Sequence, residues 1–275
     1  RAINQLKGFL MTLKALFLDL DGTSLNNNNA LSPALQEILI TLKRKGIHII
    51  FSTGRSFAGA LPFAKAIGGT EFMINYNGAR VFDFHRERVL HEATLPKPIL
   101  ERVFDFSGKI AYPPIFYHNN IIYTKDGIPH HYTCPGERFE ILDPHHDWVN
   151  ETLTKALFVL PETELITHLD VAYDYFEGAS VSTSSPTYLE IMPKGINKSV
   201  GAKHVLEALN IDPKHCVAFG DQLNDFELLS LVAHPFVMGN ATERLKNHFP
   251  DRIIGTNIED SVAKTLDTLF ELKYF

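Results

Sequence analysis

ALFLDLDGTSLNNNN, Ala15 to Asn29, poses the question on which the fold turns. An apolar run with the length of a short buried strand ends on two aspartates, Asp19 and Asp21. Like charges that close repel, and burying either one without a partner is costly. Either this is a solvated turn or a cation belongs beside it. Outward from here the pattern is regular. After the polar loop Asn26 to Asn29, SPALQEILITLKRKG reads as a complete helix. Ser32 is the N-cap and Pro33 fits the first helical position. Leu35, Ile38, Leu39 and Leu42 share a face, and Lys43, Arg44 and Lys45 suit the negative end of the dipole before Gly46. IHIIFS (47–52) predicts a second strand, 56–67 a second helix and FMINY (72–76) a third strand. Strand, helix, strand, helix, strand with short links predicts a parallel sheet covered by helices.

After Gly78 the texture changes. RVFDFHRERVLHEATL has the form of a hairpin, and from Pro96 to near Ser185 the chain is rich in Pro, His, Tyr and Phe. The earlier rhythm returns at YLEIM. A helix at 199–209, the strand HCVAFG (215–220), a helix at 225–232 and the strand HPFVMG (234–239) follow. The helix ATERLKNHF, a strand near 252–254 and a last helix at 258–270 complete the expectation. The expected fold class is α/β: a Rossmann-like parallel sheet core in two segments, 11–83 and 190–275, with an α+β cap inserted over 84–189.

Composition narrows the function classes. The chain has 275 residues, 45% of them hydrophobic, which supports a real core and excludes a disordered chain. A net charge of −6 offers no basis for nucleic acid or an anionic membrane as partner. Two cysteines, Cys134 and Cys216, fit a reducing cytoplasm. GFLMTLKALFL fails as a signal peptide because Lys14 interrupts it, and no stretch reaches the ~18 consecutive apolar residues of a membrane span. Residues 1–10 precede Met11 and are read as upstream sequence. A monomer or homodimer is expected.

In open parallel sheets, ligands bind beyond the carboxyl ends of the strands. Asp19 and Asp21 follow the first strand; Ser52, Thr53, Gly54 and Arg55 follow the second; Asn77 and Gly78 follow the third. Asp221, Asn224 and Asp225 follow HCVAFG. Stability alone does not gather so many uncompensated carboxylates at one edge. A divalent cation resolves the repulsion, and oxygen-only donors without paired histidines favour Mg²⁺ over zinc. Such a metal edge commonly holds phosphate. Asp19, held rigidly at the strand end, is the candidate nucleophile, and Asp21 the candidate acid and base. Lys198, in PKGINKS at a helix start, supplies a fixed cation opposite the metal.

DLDGT, STGR, a later lysine and GDQLND, in that order, resemble the haloacid dehalogenase superfamily of phosphohydrolases. NYNGA, the long insert and the spacing of GINKS before GDQLND resemble its Cof-type branch, subfamily IIB, which carries a large α/β cap (type C2). The resemblance covers about residues 14–270. It implies Asp19 as nucleophile, Asp21 as acid/base, and Thr53 and Lys198 at the phosphate, with Gly22 and Gly54 beside them. It implies Mg²⁺ on Asp19, Asp221 and Asp225, with Asp21 offering its backbone carbonyl and Asn224, Arg55 and Asn77 in support. Ser24 and Ser261 stand where the family often carries an apolar residue and a glycine. The implied activity is a Mg²⁺-dependent phosphatase of small phosphorylated metabolites. Sugar phosphates come first, then flavin mononucleotide or pyridoxal phosphate. A phosphomutase and a non-catalytic phosphometabolite-binding protein are the alternatives. Standing alone, Asp221 and Asp225 would read as solvated acids at a helix start. His130/His131 and His145/His146 are expected on loop surfaces rather than on a metal.

Overall fold

β1 (Ala15–Leu18) is buried along its whole length and runs into a tight turn in which Gly22 takes φ 74°. The computed structural model describes residues 12–126 and 136–275, so residues 1–10, His130, His131 and Cys134 lie outside the described residues. α1 (Pro33–Arg44) starts as its sequence predicts. Ser32 accepts from the Leu35 N–H, and Leu35, Ile38, Leu39 and Leu42 form the buried face. β2 (His48–Ser52), α2 (Phe57–Ala66) and β3 (Phe72–Asn75) follow, with α2 capped by Ser56. Then come β4 (Arg80–Asp83), β5 (Arg88–Glu92), α3 (Lys97–Ile110), β6 (Ile115–His118), β7 (Ile121–Thr124), β8 (Arg138–Ile141) and β9 (Lys155–Val159). α4 (Glu162–Tyr175), β10 (Ala179–Ser185), β11 (Tyr188–Pro193), α5 (Lys198–Leu209) and β12 (Cys216–Gly220) lead to the C-terminal part. α6 (Phe226–Leu231), β13 (His234–Val237), α7 (Glu243–His248) and α8 (Ser261–Phe270) complete it.

Two sheets result. The first has the order β13-β12-β1-β2-β3-β4-β5, parallel from β13 to β3 and antiparallel through the last two strands. The second has the order β10-β11-β9-β6-β7-β8 and is antiparallel except for β7 beside β8. Leu16, Phe17, Phe51 and Phe219 centre the core of the first; Phe106, Phe116, Phe158 and Phe176 centre that of the second. A smaller cluster joins the two, with Tyr76 and Ala79 from the first sheet's side against Tyr117, Ile122, Leu157 and Met192. No described helix is long and apolar enough to cross a membrane.

The sheets divide the chain at other places than those expected. The hairpin extends the first sheet, so β5 lies beyond the expected boundary at 84 yet pairs with the core. Its reason is packing: Phe82 meets Phe57 of α2 in a tilted contact with 4.6 Å between centroids, while Val81 on the opposite face enters the first core. YLEIM belongs to the second sheet, not to the return, because Leu189 and Ile191 pack with Phe158. The strand expected near 252–254 is a single bridge between Val237 and Ile253, since Pro250 opens a short turn that leaves one residue in register.

Where β3 ends, Tyr76, Asn77 and Gly78 all take positive φ (49°, 51° and 97°). A Cβ on Gly78 would collide with the Asn197 carbonyl just ahead of α5. Gly78→Ala therefore combines left-handed strain with a backbone clash and is expected to cost about 3 kcal/mol or more. Gly46→Ala, at φ 83° with open space around it, carries strain alone and should cost about 1–2 kcal/mol. Urea denaturation of the two variants checks the difference.

Candidate active site

β1 and β12 are parallel neighbours, with Leu18 opposite Phe219, so the residues after them leave the same edge. Asp19 directly follows the first and Asp221 directly follows the second. The chain then turns at Leu223–Asp225, where Asp225 Oδ2 accepts the N–H groups of Asp221 (3.0 Å) and Gln222 (3.1 Å). Lys198 is the first residue of α5, whose N-cap Asn197 accepts from the N–H groups of Ser199 and Val200. Its ammonium reaches Asp19 Oδ1 and Asp225 Oδ1, each at 2.6 Å. Gly22 is required where DLDGT passes under Asp221, because a Cβ there would collide with that carboxylate. Thr23 next to it donates to Asp221 Oδ1 at 2.8 Å. Ser24, where the family resemblance leads one to expect an apolar residue, donates to the Asp19 carbonyl at 2.6 Å and holds the strand end.

Asp19, Asp221, Asp225 and Lys198 are all buried. Three carboxylates thus stand beside one ammonium, which touches two of them, a formal deficit of two positive charges. Burial pushes the Asp19 carboxyl well above its ordinary range; Lys198 pulls it down, and Asp225 and Asp221 push it up again. Burial and the Asp225 charge raise Asp221 to about 7. Burial opposes the Lys198 charge, but Asp19 and Asp225 outweigh it and hold the ammonium above its usual range. One oxygen from each of Asp19, Asp221 and Asp225 lies within 4.8 Å of the others, the only such group among the described residues. A hard divalent ion that takes carboxylate oxygens, such as Mg²⁺, fits both this donor set and the charge deficit.

The other predicted residues divide. The Asp21 carboxylate is not in that group. Arg55 holds it with two prongs, Nε to Oδ2 at 2.8 Å and Nη2 to Oδ1, while the guanidinium lies over Phe63 at 5.2 Å. Only the backbone carbonyl of Asp21 is left for the metal role expected of it. Thr53 is fully buried, and its Oγ1 accepts the Arg55 N–H at 3.1 Å, so it shapes its own loop. Gly54 lines the cleft. Asn77 joins the two sheets: it donates to Glu190 Oε2 at 2.5 Å and accepts from Asn224 at 3.0 Å. Glu190 and its partner Lys155 were not among the expected residues, although a carboxylate inside the apolar strand YLEIM is a signal for one of them. His145 and His146 lie in a loop, where His146 pairs with Glu151 at 2.7 Å.

The cluster opens into a cleft of about 130 Å³ between the sheets. Asp19, Asp21 and Arg55 line one side, and Tyr117, Lys155 and Glu190 the other. The family model described as haloacid dehalogenase-like hydrolase matches residues 16–266. The chain belongs to the haloacid dehalogenase-like hydrolases. A protein of Haemophilus influenzae named as a phosphatase is 31% identical to this hydrolase over 96% of this chain and 99% of its own. The HMP-PP phosphatase of Serratia proteamaculans is 29% identical over 90% and 92%. The structure of a HAD subclass IIB sugar phosphatase shares the fold, with a TM-score of 0.77 at 23% identity over 92% of this chain and 98% of that one.

Replacing Lys198 by Met leaves Asp19 and Asp225 buried with no counter-charge. The metal-free hydrolase should lose about 3–5 kcal/mol. Mg²⁺ should recover part of this by neutralising the same carboxylates. Denaturation in EDTA and in Mg²⁺ measures both, and an unchanged midpoint in EDTA would contradict the role of Lys198.

Proposed function

We propose that this hydrolase is a Mg²⁺-dependent phosphatase of small phosphorylated metabolites that works through a phosphoryl group carried on Asp19. The observation that carries the reading is a buried carboxylate, Asp19, at the end of β1. It is clamped by Lys198 and lies in one buried cluster with two further acids, at a cleft that Asp21 also lines. The relatives named as phosphatases support phosphoric monoester hydrolysis. Sugar phosphates are the proposed first substrate class, and the chain would act in the cytoplasm.

Lys198 engages Oδ1 of Asp19, which leaves Oδ2 to attack phosphorus. As the P–O bond to the leaving group breaks, Asp21 gives that oxygen a proton. Asp21, now a carboxylate, takes a proton from water, whose oxygen attacks the phosphoryl group and frees Asp19. Arg55 positions the Asp21 carboxylate that takes the proton from water. Mg²⁺ bound by Asp19, Asp221 and Asp225 would neutralise these acids and the phosphate dianion, so that two anions can meet. Lys198 remains in place as the cation on the other side of Asp19. The second sheet closes the cleft over the reacting groups and limits the water that reaches them.

Asp19→Asn keeps the shape and removes the nucleophile. Phosphate release should fall by roughly a thousandfold or more with an unchanged circular dichroism spectrum. EDTA should silence the wild-type protein and Mg²⁺ restore it. Near-normal turnover in the asparagine variant, or full activity after exhaustive chelation, would refute the reading.

A further inference from the structure

The wall of the cleft opposite Asp19 and Asp21 holds a costly feature that the reaction does not use. Lys155 of β9 and Glu190 of β11 form an ion pair, Nζ to Oε1 at 2.7 Å, with side chains only 6% and 2% exposed. Taking two such charges out of water is costly, and a well-packed apolar pair of similar volume is often as stable or more so. The same wall carries buried Ile122 and Leu157, so apolar residues suit this place. Stability does not account for the pair.

The pair is also held in a set position. The Lys155 ammonium lies 4.6 Å from the centre of the Tyr117 ring. Glu190 uses its second oxygen on Asn77, and Asn77 in turn accepts from Asn224. Oδ1 of Asn224 is buried with no hydrogen-bond partner, and Asn224 lines the same cleft.

We propose that Lys155 and Glu190 form the subsite for the leaving group and select a neutral, hydroxyl-bearing group. An ammonium donates, a carboxylate accepts, and a hydroxyl does both. The Tyr117 ring, under the Lys155 ammonium, fixes that donor at the cleft. Glu137 and Glu190 against Lys155 leave the wall one charge negative, which disfavours a second phosphate on the substrate.

This subsite rests on the phosphatase reading, and the test separates the two. Phosphate release is measured from the monophosphates of glycerol, ribose and glucose, and from phenyl phosphate, whose ring carries no hydroxyl. The wild-type protein should favour the best hydroxylated ester. In Lys155→Met/Glu190→Leu, which leaves no unpaired charge, kcat/KM for that ester relative to phenyl phosphate should fall by about tenfold or more. Glu190→Gln keeps an acceptor for Asn77 and provides the same comparison if the double variant does not fold. A ratio that changes less than this overturns the subsite. No phosphate from any ester with the wild-type protein overturns the phosphatase reading and the subsite with it.

Discussion

The ammonium of Lys198, shared between Asp19 and Asp225, is the contact on which the rest depends. Its partners lie 179 and 27 residues away in sequence, so one buried charge ties together β1, α5 and the turn after β12. Those three segments come from both halves of the first sheet, on either side of the long excursion through the second. The ion pair therefore closes the first sheet across the insertion. It also sets the electrostatics, because one positive charge against three carboxylates leaves a deficit that burial makes expensive. A hard divalent cation fits that deficit.

Close approach is the second constraint. Acidic side chains reach one point only where the neighbouring backbone has no Cβ in the way, as at Gly22 under Asp221. The left-handed run Tyr76 to Gly78 does the matching work between the sheets. It brings the backbone of β3's end against the start of α5 and turns Asn77 to face Glu190 on one side and Asn224 on the other. Tyr76 meanwhile packs against Tyr117, with ring centroids 6.1 Å apart. One strained loop thus couples the carboxylate edge to the wall that faces it. Arg55 adds rigidity by holding Asp21 with two hydrogen bonds while its own face rests on Phe63.

What could be read from the chain followed local rules. α1 was legible to the residue, because Ser32, Pro33 and the period of Leu35, Ile38, Leu39 and Leu42 act within one helix. The acids after β1 and β12 were legible because parallel strands place their ends together, whatever lies between them. Membership of a sheet was less legible. RVFDF and YLEIM are each plausible strands of either sheet, and only the partners of Phe82, Leu189 and Ile191 decide between the two. A stretch such as Arg252–Ile254 has the composition of a strand, yet Pro250 lets it make one bridge.

The amino-acid sequence by itself determined the alternation of strands and helices, the cluster Asp19, Asp221 and Asp225, and Lys198 as its counter-charge. Those properties depend on period, on strand ends and on charge balance, which are local or topological. Tertiary structure alone decided that Asp21 is held by Arg55 instead of standing with the other acids. It alone decided that Lys155 and Glu190, from two strands of the second sheet, face the cleft as a buried pair. The physical reason is that a side chain's partner across an interface is chosen by shape and desolvation in three dimensions, and no spacing along the chain encodes that choice.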